Sequence, residues 1–238
     1  MFTFPFTLHS GGFVNEYSTS FNGVDEHISL GSIDIVDNLS IFFWAKYTST
    51  TTMCFLSKFR AGTGNQSVRL QSVLGDFRVQ IAADGSGTNK KTYTYSTNVN
   101  DGNWHHLGFT FVNDVLKVYV DGSEVSVSKS NDDTVTTIHS SAQSYIIGAR
   151  GNLSERYNGN IDELTIWSST VLSAGEISDL YNSGVPVDPN TIGATATLEH
   201  WYRMGDGDDA TTLFDNAGSF DGTLTNMDAT NYTTDVPS

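Results

Sequence analysis

Leu39-Ser40-Ile41-Phe42-Phe43-Trp44-Ala45-Lys46-Tyr47 is apolar on both of its faces for most of its length. A strand built this way needs cover on each side, so it reads as the central strand of a packed sheet. On either side of it the apolar residues recur at period two. Phe77, Val79 and Ile81 alternate with Arg78, Gln80 and Ala82. Trp104 to Val112 and Val115 to Val120 form a pair of strands about an Asn113-Asp114 turn, and Asp121-Gly122 leads on into Glu124-Val125-Ser126-Val127. Asp-Gly between alternating runs is a hairpin signal, because both turn residues tolerate positive φ. Ser144 to Gly148, Asn160 to Ser168 and Leu198 to Met204 read as further strands.

One helix interrupts this pattern. Ser173 with Glu176 forms a capping box, Ile177, Leu180 and Tyr181 share a face, and Gly184 and Pro186 stop it. It is expected to plug the edge of a sandwich. The chain of 238 residues, with 14 Phe, 10 Tyr and 4 Trp, can bury a core without disulfides. Its single cysteine, Cys54, lies in an apolar run and reads as a buried small hydrophobe. The net charge of −15 repels phosphate backbones, which argues against nucleic acid as a partner. No apolar run is long enough to span a membrane. The N-terminus has no basic residue before its apolar stretch, so it does not read as a secretory signal. Phe2, Phe4, Phe6 and Leu8 alternate with Thr3, Pro5 and Thr7. Residues 1–14 are therefore either an extra edge strand or an arm that docks on a second copy.

The order of these segments resembles the laminin-G-like, concanavalin A-like jelly-roll superfamily that includes pentraxins. The resemblance rests on Ser20-Phe21-Asn22-Gly23-Val24-Asp25-Glu26-His27-Ile28, on Leu39 to Lys46, and on Trp104-His105-His106 with Val118-Tyr119-Val120-Asp121-Gly122. It continues through Ile147-Gly148, Asn158-Gly159-Asn160-Ile161-Asp162-Glu163-Leu164-Thr165-Ile166-Trp167 and the capped helix. It implies an all-β sandwich over residues 15–185. Pro186 to Ala196 is the linker candidate. Trp201-Tyr202-Arg203-Met204-Gly205-Asp206, Asp215-Asn216-Ala217-Gly218 and Asp221-Gly222-Thr223-Leu224 are similar to a segment that usually opens such domains, and 186–238 is expected to complete the same sandwich. The arrangement, ending in Thr225-Asn226-Met227, looks like proteins carried by tailed bacteriophages of marine bacteria. That implies a non-catalytic virion surface protein, a decoration or tail-fibre component assembled in the host cytoplasm. Its partners would be other virion proteins and itself. The alternative is an adhesion module for host surface glycans.

The resemblance also implies candidate sites. Family members often hold Ca²⁺, and by position Asp25, Asp162 and Asn22 are the candidate ligands, with Glu26 and Glu163 behind them. The stretch Gly151-Asn152-Leu153-Ser154-Glu155-Arg156 has one acid and an Arg, a departure from the pentraxin double-calcium loop. Tyr93, Tyr95 and Tyr157 are the candidate sugar platform, since rings beside polar groups suit saccharides. Retaining glycosidases need two carboxylates about 5 Å apart. Asp162 and Glu163 are neighbours on a strand and are expected to face opposite ways, which argues against that chemistry. By the same rule His105 and His106 do not share a metal. The acidic loop Asp206 to Asp209 reads as a solvated turn.

Overall fold

Antiparallel pairing organises the whole chain. The computed structural model describes residues 13–60, 64–97 and 99–238; the alternating Phe2–Leu8 segment lies outside the described residues. The first strands are β1 (Ser18–Asn22), β2 (His27–Ser29), β3 (Leu39–Lys46), β4 (Met53–Arg60), β5 (Asn65–Val73) and β6 (Asp76–Ala82). Then follow β7 (Lys90–Tyr95), β8 (Trp104–Val112), β9 (Val115–Val120), β10 (Ser123–Glu124), β11 (Ser128–Asp132), β12 (Ile146–Ile147) and β13 (Asn158–Ser168). The helix α1 (Ala174–Tyr181) precedes β14 (Thr197–Tyr202), β15 (Thr212–Leu213), β16 (Gly222–Thr225) and β17 (Tyr232–Thr233).

These strands form two sheets packed as a sandwich. Sheet one runs β10-β9-β8-β3-β13-β1-β17, with β14 also paired to β13. Sheet two runs β11-β7-β6-β5-β4-β12-β2-β16-β15. The stretch 39–46 is, as its two apolar faces require, a central strand between β8 and β13, buried through Ala45. The turns follow their sequences: Asn113, Asp114, Asp121 and Gly122 all have positive φ. The interior is lined by Ile41, Phe43, Leu107 and Phe109 from sheet one and by Phe55, Leu70, Phe77 and Val79 from sheet two. Among the described residues no helix is long and apolar enough to cross a membrane.

The segment after α1 is built into both sheets. β14 pairs with β13, β16 with β2 and β17 with β1. Residues 187–198 are no free linker: Val187, Ile192, Ala194, Ala196 and Leu198 join an apolar cluster with Phe42, Tyr119, Trp167, Leu172, Ile177 and Leu180. That cluster also corrects the expected place of the helix. Phe42, Tyr119 and Trp167 come from β3, β9 and β13, so α1 lies on the outer face of sheet one, toward the side that ends in β10, and does not close the gap between the sheets. Its capping box is present as read, with Ser173 N donating to Glu176 Oε2 at 2.6 Å and Glu176 N to Ser173 Oγ at 3.3 Å.

Sheet one packs its outer cluster so closely that Gly108 has no room for a side chain. A Cβ there would lie 2.2 Å from Phe42 Cδ1 and 2.5 Å from the Ile41 carbonyl oxygen. Gly108→Ala is expected to destabilise by about 3 kcal/mol, a Tm fall of about 8 °C. Gly175→Ala, on the helix, where a Cβ meets only Ser173 Oγ at 3.9 Å, should leave Tm unchanged or raise it. Thermal unfolding of the two variants checks both.

Candidate functional site

The outer faces of the two sheets differ. That of sheet one is closed by α1 and the 187–198 segment. That of sheet two carries polar side chains, because the alternation that sends Val68, Leu70, Val79 and Ile81 inward sends their neighbours outward. The register aligns them in cross-strand rows: Gln71 opposite Arg78, and Arg78 opposite Thr94; Arg69 opposite Gln80, and Gln80 opposite Thr92. Arg78 Nε donates to Thr94 Oγ1 at 2.9 Å, and Gln80 Nε2 to Thr92 Oγ1 at 3.1 Å. Cys54, opposite Gln71, extends the first row.

The loop after β12 meets this face. Cys54 N donates to the Glu155 carbonyl at 2.8 Å, and the Cys54 thiol donates to Glu155 Oε2 at 3.3 Å. Glu155 also takes Arg150 Nη1 at 2.8 Å and stands 3.6 Å from Arg69 Nη1. Both guanidinium groups lie over the Phe59 ring, at 5.0 Å for Arg69 and 5.6 Å for Arg150. Burial lowers the Arg69 pKa and raises that of the Cys54 thiol, so the thiol stays protonated.

This face holds a concentration of unsatisfied polar atoms. Gln71 is fully buried, and among the described residues neither its Nε2 nor its Oε1 has a partner. Gln80 Oε1, Arg69 Nε and Arg150 Nε are likewise buried and without a partner among the described residues. A buried polar group without a partner costs about 1–3 kcal/mol. Several on one sheet face call for an explanation, and a polar ligand supplies one.

The expected tyrosine platform is not formed. Tyr157 is fully buried in the core beside Phe21 and Phe55, with its hydroxyl on the Lys46 and Asn160 carbonyls. Tyr93 and Tyr95 stand opposite Val79 and Phe77, so they take the inward side of β7. Tyr93 lines an open groove of about 590 Å³ at the edge of the sandwich, with Leu116 and Val127. Its ring is covered by the Lys129 ammonium at 4.6 Å and its hydroxyl is held by Asp132 at 2.5 Å. Thr92 and Thr94 take the outward side of β7, in rows with Arg69-Leu70-Gln71 and Arg78-Val79-Gln80, two Arg-x-Gln runs on adjacent strands.

The calcium candidates are not brought together. Asn22 and Asp25 share the turn after β1, where Asn22 Nδ2 donates to Asp25 Oδ1 at 3.1 Å and Asn22 N to Glu26 Oε2 at 2.6 Å. Asn22 lies opposite Asn158, and Asp162 is four residues farther along β13, roughly 13 Å at the rise of a strand. Among the described residues no three or more His, Cys, Asp or Glu side chains group as a metal site. The three residues do not compose one calcium site, and no chemistry is drawn through such an ion.

Asp162 and Glu163 also depart from strict alternation. The pairing of β13 with β3 slips between Asp162 and Thr165, and Glu163 has φ of 45°. Ile161 and Leu164 both face the core, so the two acids fall together between successive inward positions. Both are sealed. Asp162 accepts from Asn15 Nδ2 at 2.8 Å; Glu163 accepts from Trp201 Nε1 at 2.5 Å and pairs with Arg203 Nε at 3.4 Å. The loop beyond is also no solvated turn at its start, since buried Asp206 accepts from Glu16 N at 2.9 Å. His105 is fixed between Asp121 and Asp101, and His106 packs against Phe42 and Trp44, where burial lowers its pKa to about 3.

Burial pushes the Glu163 carboxyl up to about 7, against the pull of Arg203 and the Trp201 N–H. The folded protein therefore holds this proton more tightly than the unfolded chain. The stabilisation is complete below the ordinary carboxylate range and is lost as pH rises through the folded value near 7. Glu163→Gln removes this titration. Its Tm, measured relative to wild type, is expected to rise by about 5 °C between pH 4.5 and 7.

The model of the concanavalin A-like lectin/glucanases superfamily matches residues 22–178. No curated protein matches the chain. Among solved structures, a candidate carbohydrate-binding protein of Bacteroides ovatus superposes with a TM-score of 0.67 at 15% identity, over 94% of this chain and 62% of its own. The chain thus spans less than two thirds of that protein. The heptameric SAP-like pentraxin of Limulus polyphemus gives 0.54 at 14% identity, over 78% of this chain and 94% of its own. The ligand-binding domain of botulinum neurotoxin serotype D, in complex with N-acetylneuraminic acid, gives 0.51 at 17%, over 73% and 43%. At these identities the likeness is one of fold. The family match covers most of the chain, from the turn after β1 to the helix on sheet one: the chain belongs to the concanavalin A-like lectin/glucanase superfamily.

Proposed function

We propose that the chain is a non-catalytic carbohydrate-binding module and that saccharide is taken up on the outer face of sheet two. The observation that carries this is the polar cross-strand rows of that face, in which half-buried Arg78 is held on Thr94 Oγ1 and the Gln71 amide and Gln80 Oε1 have no partner among the described residues. Sugar hydroxyls donate and accept at once, so they match a face of Arg, Gln and Thr side chains. The B. ovatus and neurotoxin neighbours support the reading as proteins of the same fold described by a carbohydrate ligand. The lack of catalysis is part of the proposal. Its support is that Asp162 and Glu163, the adjacent acids, are closed off by Asn15, Trp201 and Arg203.

The resemblance of the motif order to bacteriophage proteins supports a setting for this module, the surface of a virus particle, with other virion proteins and its own copies as partners. Detection of the chain in purified particles by mass spectrometry is the expected result. Its confinement to soluble host extract would sink that setting and leave saccharide binding untouched.

The binding test is a glycan array read with Ca²⁺ and with chelator; equal binding in both is expected, because Asn22, Asp25 and Asp162 are not brought together. Gln71→Met has nearly the same volume and no unsatisfied groups. It is expected to stabilise the protein by about 1–2 kcal/mol, read as a higher Tm; a lower Tm would show that the amide is partnered in the folded chain.

A further inference from the structure

Sheet two concentrates positive charge in an acidic protein. The chain carries 27 Asp and Glu against 12 Lys and Arg, for a net charge of −15. Half of its six arginines, Arg69, Arg78 and Arg150, meet on this face. Glu155 offsets part of that charge, and Asp76, two residues before Arg78 on the same strand, offsets another part. An excess of positive charge remains. Arg69 and Arg150 are both held by Glu155 and by the Phe59 ring. Arg78 is different: Nε is anchored on Thr94 Oγ1, and among the described residues its guanidinium makes no ion pair.

We propose that the saccharide taken by this face is anionic, its carboxylate or sulfate seated on the guanidinium of Arg78. The inference rests on the reading of sheet two as the saccharide site and names the ligand class. A planar guanidinium presents paired N–H donors that match two oxygens of one carboxylate or sulfate. The Thr94 contact fixes the plane of the fork before a ligand arrives. Arg78 is the half-buried member of rows whose other outward side chains, Gln71, Gln80, Thr92 and Thr94, are buried, so its guanidinium is the group an anion meets first.

The test uses the full chain and matched pairs of immobilised oligosaccharides. Oligogalacturonate is set beside its methyl ester, sialyl-lactose beside lactose, and a sulfated carrageenan oligosaccharide beside its desulfated form. Charged members are expected to bind at least about ten-fold more tightly than their neutral partners, and more weakly as salt is raised. Arg78→Gln should remove that preference and leave the neutral members within about two-fold. Arg78→Lys, which keeps charge without the fork, should fall between. Preference for a carboxylate pair or for the sulfate pair identifies which anion is read. Equal binding of charged and neutral members, or a preference that survives Arg78→Gln in a variant with wild-type Tm, overturns the inference and leaves saccharide binding standing. Failure of every pair to bind overturns both.

Discussion

The pairing of β13 is the constraint on which the rest of the molecule depends. On one side it is bonded along its length to β3. On the other it is shared end to end, with β1 beside its first half and β14 beside its second. Two strands from opposite ends of the chain therefore meet at one point of a third, and that point is the irregularity at Asp162 and Glu163. A regular strand would send one of these acids into the core. The extra residue keeps both out of it, at the junction where Asn15 and Trp201 can reach them. The carboxylates are accommodated by the groups the two flanking strands deliver, and Arg203 joins them by pairing with Glu163 and lying 3.3 Å from Asp206. Burial without such partners would be far more costly.

From that junction follows the asymmetry of the two outer faces. β13 continues into α1, whose start is fixed by Leu172 N donating to Ser40 Oγ at 3.1 Å on the adjacent strand. The helix is thereby laid over sheet one, where Phe42, Tyr119 and Trp167 need cover. The outward residues of sheet two are Arg, Gln and Thr, and most of them are buried as well, Gln71 fully. One sheet closes its outer face by apolar packing, and the other keeps polar atoms there that have no partner among the described residues. Natural interiors hold few such groups, and their grouping on one side of one sheet is the ground for the proposed saccharide face.

Much of the fold was legible from residue pattern. Two-faced apolarity placed β3 at the centre of a sheet, and the positive-φ turns at Asn113-Asp114 and Asp121-Gly122 fixed the β8–β9–β10 meander. The capping box located α1 to the residue. Its seat was not legible, since an amphipathic helix states which face is buried and not against what. The β13 slip was hidden because the alternation rule fails at a bulge, and neither Asp162 nor Glu163 announces one. The outward set of β7 was hidden for a related reason. Tyr93 and Tyr95 alternate with Thr92 and Thr94, and pattern alone leaves open which set faces the core. Rings are natural sugar platforms, yet here they are spent on the interior, and the threonines orient Arg78 and Gln80 outward.

An acidic protein with an arginine face is selective by construction. Most of its surface repels anions, so an anionic chain is turned away from most approaches and least from the one toward half-buried Arg78. At that face the guanidinium groups are already fixed, two by Phe59 and Glu155 and one by Thr94, so little side-chain freedom is lost when a ligand arrives. The same net charge lowers affinity for nucleic acid, whose dense phosphates would meet the repelling remainder of the surface along their length. A short or sparsely charged glycan meets only the face itself. Charge distribution, more than total charge, therefore separates the polyanions this fold would reject from the acidic sugars proposed for its second sheet.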